Sequence, residues 1–120
     1  MPVSASQIPF NPLGDTVAVA ADSTAPTGVQ VPVTVATPLD PGYAAEYRIV
    51  NSSSYTVHLG VGTSAAAAQT AAVAATAGSP AAGIPILPGA VEILRFSPGA
   101  YFSGKASAAA TVYITPGQGL

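Results

Sequence analysis

His58 is the only histidine in the chain, so general-base or imidazole-ligand chemistry would have to fall on it. Nucleophilic catalysis would need a serine and a carboxylate converging on that ring. The carboxylates are Asp15, Asp22, Asp40, Glu46 and Glu92, and their spacing makes neither a calcium loop nor a glycosidase acid pair. Glu46 and Arg48 lie in the strand-like run before His58, where simple cross-strand contacts are expected, as they are for Glu92 and Arg95. Gly99-Ala100-Tyr101-Phe102-Ser103-Gly104-Lys105 fits the phosphate-cradling pattern G-x-x-x-x-G-K. However, Ala106 stands where a magnesium-binding hydroxyl is required, Tyr101 and Phe102 read as strand, and no helix follows. With no cysteine, disulfides, thiolate nucleophiles and cysteine-based metal sites are excluded. The sequence therefore reads as non-enzymatic, with no catalytic residue, no cofactor and no metal site. Asn51-Ser52-Ser53 fits the glycosylation acceptor pattern. Met1-Pro2-Val3-Ser4 lacks the basic and apolar regions of a secretory signal, so the acceptor is expected to stay unused.

The surface that must surround these residues is unusual. Only 7% of the 120 residues are charged, against 49% hydrophobic, and the formal net charge is −2, whereas soluble domains carry roughly 25% charged residues. Ser, Thr, Gly, Asn and Gln must then make up the polar surface. Little repulsion keeps copies apart, which points to an assembly component and a homo-oligomer, dimer or trimer. Three basic residues give too weak a field to hold a phosphate polymer, so no nucleic-acid partner is expected. Alanine inflates the mean hydropathy of +0.48. The longest apolar stretch, Ala65 to Ala77, is interrupted by Gln69, Thr70 and Thr76 and falls short of the roughly 18 residues of a membrane helix, so no membrane partner is expected.

Short period-2 or β-branched runs dominate the chain: Thr16 to Ala21, Val29 to Val35, Glu46 to Val50, Tyr55 to Val61, Ile84 to Leu87, Val91 to Phe96, Ala100 to Ser103 and Thr111 to Thr115. Thr27-Gly28, Asp40-Pro41-Gly42, Asn51 to Ser54, Pro88-Gly89, Pro98-Gly99 and Pro116-Gly117 separate or follow them as turns. About eight short strands at this spacing predict an all-β fold, an antiparallel β-sandwich resembling a jelly roll. Pro32 marks its strand as edge or bulged. The short link from Asn51 to Ser54 predicts a central hairpin of the 46–50 and 55–61 strands. Ser64 to Ala77 is alanine-rich, with Thr63 or Ser64 to cap it, Gly78 to end it and Val73 as its large apolar anchor, so a short helix is expected. Residues 1–15, with Pro2, Pro9 and Pro12, read as an extended N-terminal arm ahead of a single domain at 16–120. Ile8, Phe10 and Leu13 are its candidate interface residues, expected to dock on a neighbouring subunit or another protein surface rather than on the chain's own core.

Over residues 44 to 120 the ordered set Tyr47-Arg48-Ile49-Val50-Asn51, Leu59-Gly60-Val61-Gly62, Ile86-Leu87-Pro88-Gly89-Ala90-Val91-Glu92-Ile93-Leu94 and Thr111-Val112-Tyr113-Ile114-Thr115-Pro116-Gly117-Gln118-Gly119 resembles small virion proteins of tailed bacteriophages and prophages. These are capsid decoration or cement proteins. The resemblance implies a viral structural protein that binds the major capsid protein on the capsid exterior, made in the host bacterial cytoplasm, and it transfers no catalytic residue. The capsid surface is then the second docking site open to the arm. The alternative expectation is a fibre- or tail-associated module that binds host glycan, with Tyr43, Tyr55 or Tyr101 as stacking platforms.

Overall fold

The computed structural model describes residues 10–34 and 45–118. The elements are β1 Asn11–Pro12, β2 Val17–Asp22, β3 Val29–Gln30, β4 Ala45–Asn51, β5 Val57–Gly62, α1 Ala65–Ala71, β6 Ile84–Ile86, β7 Val91–Phe96, β8 Tyr101–Lys105 and β9 Ala110–Gln118. The protein is thus mostly β with one short helix. All the strands join one sheet in the order β6, β5, β8, β2, β9, β4, β7, with β1 added on β9 and β3 on β8.

Two features separate this sheet from the antiparallel sandwich expected. β2 and β8 run parallel, with Ala21 opposite Gly104 and Asp22 opposite Lys105, so the sheet is mixed. Its two terminal strands, β6 and β7, are also consecutive in sequence and joined only by residues 87–90. So short a connection brings the ends of the sheet together, and the sheet curls nearly into a barrel around one core. Inward-facing side chains from every wall fill it, among them Val19, Tyr47, Ile49, Val57, Leu59, Ile86, Phe102, Val112 and Ile114. The rings of Tyr47, Phe96 and Phe102 meet at centroid distances of 5.1–6.0 Å, in the tilted and edge-on range that aromatic quadrupoles favour. The Tyr47 hydroxyl donates to Ser97 O at 2.9 Å and accepts from Ala100 N at 3.3 Å. Burial raises its pKa, against a smaller lowering by the backbone at Ala100 and Gly99.

The expected central hairpin does not form. β4 lies between β9 and β7, and β5 between β8 and β6. The buried Asn51 side chain explains why a short link can still carry the chain to another wall. Its amide donates to Tyr55 O at 2.8 Å and to Ile86 O at 2.9 Å, while its carbonyl accepts from Ser53 N at 3.1 Å and Ser53 Oγ at 2.6 Å. The link is a turn organised by a side chain, not by a strand-to-strand ladder.

The helix is shorter than expected. Ser64 does cap it, accepting from Ala67 N at 3.1 Å, but it ends at Ala71 rather than near Gly78. Its anchors are small. Ala68 and Ala72 are buried, whereas Val73 is exposed, because the helix lies directly on glycines of the sheet. A Cβ placed on Gly60 would stand 2.3 Å from Ala68 O and 2.4 Å from Ala72 N, and one on Gly62 2.7 Å from Ala67 Cβ. Pro88-Gly89 and Pro98-Gly99 are turns with positive φ at glycine, as expected. Pro116-Gly117 is not: both residues lie inside β9, opposite Tyr47 and Glu46 of β4.

The arm boundary also moves. Asn11 and Pro12 pair with Gln118 and Gly117, Leu13 N donates to Pro116 O at 2.9 Å, and Leu13 O accepts from Thr34 N at 2.9 Å. Leu13 is only 4% exposed, so it belongs to its own domain and is not a free interface residue. Leu13→Ala should therefore lower unfolding stability by about 2 to 3 kcal/mol, the usual cost of emptying a buried leucine site. A urea melt indistinguishable from the parent would place Leu13 outside the core.

Candidate functional site

β7, β4, β9 and β2 are neighbours in that order, and strand alternation decides what their outer face presents. On β4 the residues Tyr47, Ile49 and Asn51 point into the core, so Arg48 and Val50 point out. Register then builds two rows. Val50 stands opposite Val91 on one side and Tyr113 on the other, and Tyr113 stands opposite Ala18. In the next row Arg48 lies between Ile93 and Thr115, and Thr115 Oγ1 is 2.7 Å from Thr16 Oγ1.

The first row is apolar across four strands, about 15 Å at the usual strand spacing. Val91 is 50% exposed, Ile93 42% and Tyr113 43%, and Leu87, in the turn leading to Val91, is 61% exposed. Scattered exposed apolar side chains are ordinary, but contiguous ones mark surfaces that bind. Arg48 is exposed and forms no ion pair with any described residue. It gives the face one cation amid apolar groups. Farther along, Arg95 reaches Glu46 at 2.8 Å with the carboxylate almost fully buried, the cross-strand contact expected for these positions. Glu92 is exposed although it shares the inward register of Leu94 and Phe96, which keeps the β7 end of the sheet hydrated.

The sequence-derived candidates disperse. Ile8 and Tyr43 lie outside the described residues. Phe10 is half-buried, its ring against Gly117, where an added Cβ would approach within 2.4 Å. Tyr55 precedes β5 and Tyr101 pairs with Gly62 at the far end of that strand, so these two tyrosines do not form one stacking platform. His58 has Lys105 and Pro85 as cross-strand neighbours, not Glu46 and Arg48, which lie on another wall. The Gly99–Lys105 pattern is a turn at Gly99 running into strand β8. A Cβ on Gly104 would meet Ala21 Cβ at 2.7 Å and Val57 Cγ1 at 2.8 Å, so this glycine serves close packing rather than phosphate. Among the described residues, no group of three or more His, Asp or Glu side chains could hold a metal ion, and no helix is long and apolar enough to cross a membrane.

The outer apolar rows went unread in the sequence because Val91-Glu92-Ile93-Leu94-Arg95-Phe96 carries apolar residues on both alternating sets. Alternation alone does not say which set is inside. No protein-family model matches the chain, and neither a curated protein nor a solved structure matches it.

Proposed function

We propose that the chain is a structural protein of a tailed-bacteriophage virion that decorates the outside of the assembled capsid. It would bridge neighbouring copies of the major capsid protein and be made in the host bacterial cytoplasm. The observation that carries this reading is the apolar Val91–Val50–Tyr113–Ala18 row with Arg48 beside it, a face suited to burial against a protein surface that offers apolar groups and a carboxylate. The resemblance of residues 44 to 120 to decoration proteins and the 7% charge content support it.

Stabilisation would be additive. Each bound copy adds interface that must be exposed before capsid subunits separate, and repetition over a lattice multiplies modest contacts into retention. A dimer or trimer of the chain would extend the bridge.

The test is co-sedimentation with purified capsids of the phage that encodes the chain. Ile93→Asp and Tyr113→Asp should each weaken capsid retention at least tenfold while leaving the thermal transition of the isolated protein within a few degrees, because both side chains are exposed in the free chain. Mass spectrometry of purified virions should find the protein at a copy number comparable to the capsid lattice. Its absence from virions ends this reading.

A further inference from the structure

An open groove of about 430 Å³ lies over the outer side of β5 and β8, with Pro88 of the β6–β7 link at its edge, within the roughly 300 to 1,000 Å³ of small-molecule sites. Its polar lining is Ser54, Tyr55, Thr56, His58, Lys105 and Ser107. The chain has one lysine and one histidine, and they stand opposite each other in the floor of this groove. Among the described residues no carboxylate lines it. The acid nearest in register, Asp22 beside Lys105, instead accepts from Ser23 N at 2.7 Å. Neither Lys105 nor His58 forms an ion pair or side-chain hydrogen bond with a described residue. One wall is held in place in advance: the Tyr55 backbone is fastened by Asn51 Nδ2, which donates to Tyr55 O at 2.8 Å, and by Ser53 Oγ, which accepts from Tyr55 N at 3.2 Å. A fixed wall reduces the ordering cost of binding.

We infer that this groove binds a saccharide bearing an oxyanion, a carboxylate or a phosphate. Lys105 and His58 receive the anion, the hydroxyls of Ser54, Thr56 and Ser107 hydrogen-bond to ring hydroxyls, and the 39% exposed Tyr55 lies against the sugar's apolar face. In a chain with so few charges, a lysine and a histidine meet in the floor of this groove while the neighbouring Asp22, tied to Ser23 N, stays outside its lining, so an anion is the complementary ligand. The inference does not rest on the capsid reading: the groove is floored by β5 and β8 and the apolar row by β7, β4, β9 and β2, the two adjoining at the 87–90 link, where Pro88 lines the groove.

The test is an amide chemical-shift titration of the full chain at fixed ionic strength with glucuronate, glucose 6-phosphate, glucose and inorganic phosphate. The two acidic sugars should shift the amides of 54–58 and 105–107 and saturate in the millimolar range, glucose should produce no saturable shift, and inorganic phosphate should bind at least fivefold more weakly. Lys105→Ala should weaken both acidic sugars at least tenfold. Ser107→Asp, which adds a carboxylate at an exposed loop position, should abolish their binding without unfolding the protein. Loss of localised shifts for both acidic sugars, or binding unchanged in Ser107→Asp, overturns the inference. Glucose binding as tightly as its phosphate overturns the anion, and phosphate binding as tightly as the acidic sugars overturns the ring.

Discussion

Gly60→Ala should cost about 3 kcal/mol of unfolding stability and lower the thermal midpoint by about 10 °C, while Gly60→Val should not fold. The new methyl would sit 2.3 Å from Ala68 O and 2.4 Å from Ala72 N, well inside van der Waals contact. Both obstacles are backbone, so no rotamer change relieves the clash and α1 must lift from β5. Lifting it exposes Ala68 and Ala72 and withdraws the helix from Gly62 as well. Gly78→Ala provides the control. That glycine has φ of +77° and open space around an added Cβ, so alanine there should cost about 1 kcal/mol through backbone conformation alone. Equal losses at the two positions, measured by urea denaturation, would mean that the helix does not rest on the sheet backbone.

The second large effect is expected at Asn51. Asn51→Ala removes four hydrogen bonds at a site with no solvent exposure and leaves Ile86 O and the 52–55 turn without their side-chain partner. Unmatched buried polar groups cost about 1 to 3 kcal/mol each, so a total near 4 kcal/mol is expected. Asn51→Asp keeps the shape and the acceptor for Ser53 but turns a carboxylate oxygen toward two carbonyls. Repulsion and burial raise that carboxyl's pKa above its unfolded value, so the folded state binds the extra proton. Stability is then greatest below about pH 4, where the acid is neutral in both states, and declines as pH rises through the folded pKa. Asn51→Asp should therefore be weaker than Asn51→Ala at pH 7 and partly recover at pH 4. A loss under 1 kcal/mol for Asn51→Ala would show that this side chain does not hold β4 to β6.

Asn51 also shows where reading the sequence succeeds and where it stops. Its place at the end of a strand and start of a turn was legible, as were the runs around Tyr47, Val57, Ile93 and Val112, because alternation and β-branching are local properties. Its fit to the glycosylation pattern carried no information on burial, and the amide is fully used inside the fold. Strand pairing was not legible, because link length restricts neighbours only when the link is itself a hairpin. The Pro-Gly pairs divide for a similar reason. At Gly89 and Gly99 the glycine supplies positive φ, a local need. At Gly117 it makes room for the Phe10 ring, a need arising more than a hundred residues away. The helix cap at Ser64 was readable, but its early end was not, since alanine propensity carries no information about Gly60 or about Gly83 N donating to Val73 O at 3.1 Å. In the groove, His58 and Lys105 were each noticed alone, and only the register of β5 with β8 joins them.

β9 contacts β1, β2 and β4, although it is the last of the described elements in chain order. The strands made before it can pair β4 with β7 and β5 with β6 and β8, and Asn51 can join β4 to β6. The gap between β2 and β4 nevertheless stays open until residues 110–118 have left the ribosome. The earlier strands must wait with apolar surface and unpaired backbone exposed, the condition in which nascent β chains associate wrongly. Folding should therefore be a cooperative event that waits for β9. Ribosome-bound chains stalled before residue 110 should remain protease-sensitive and acquire resistance only when β9 and a tunnel-length spacer are added.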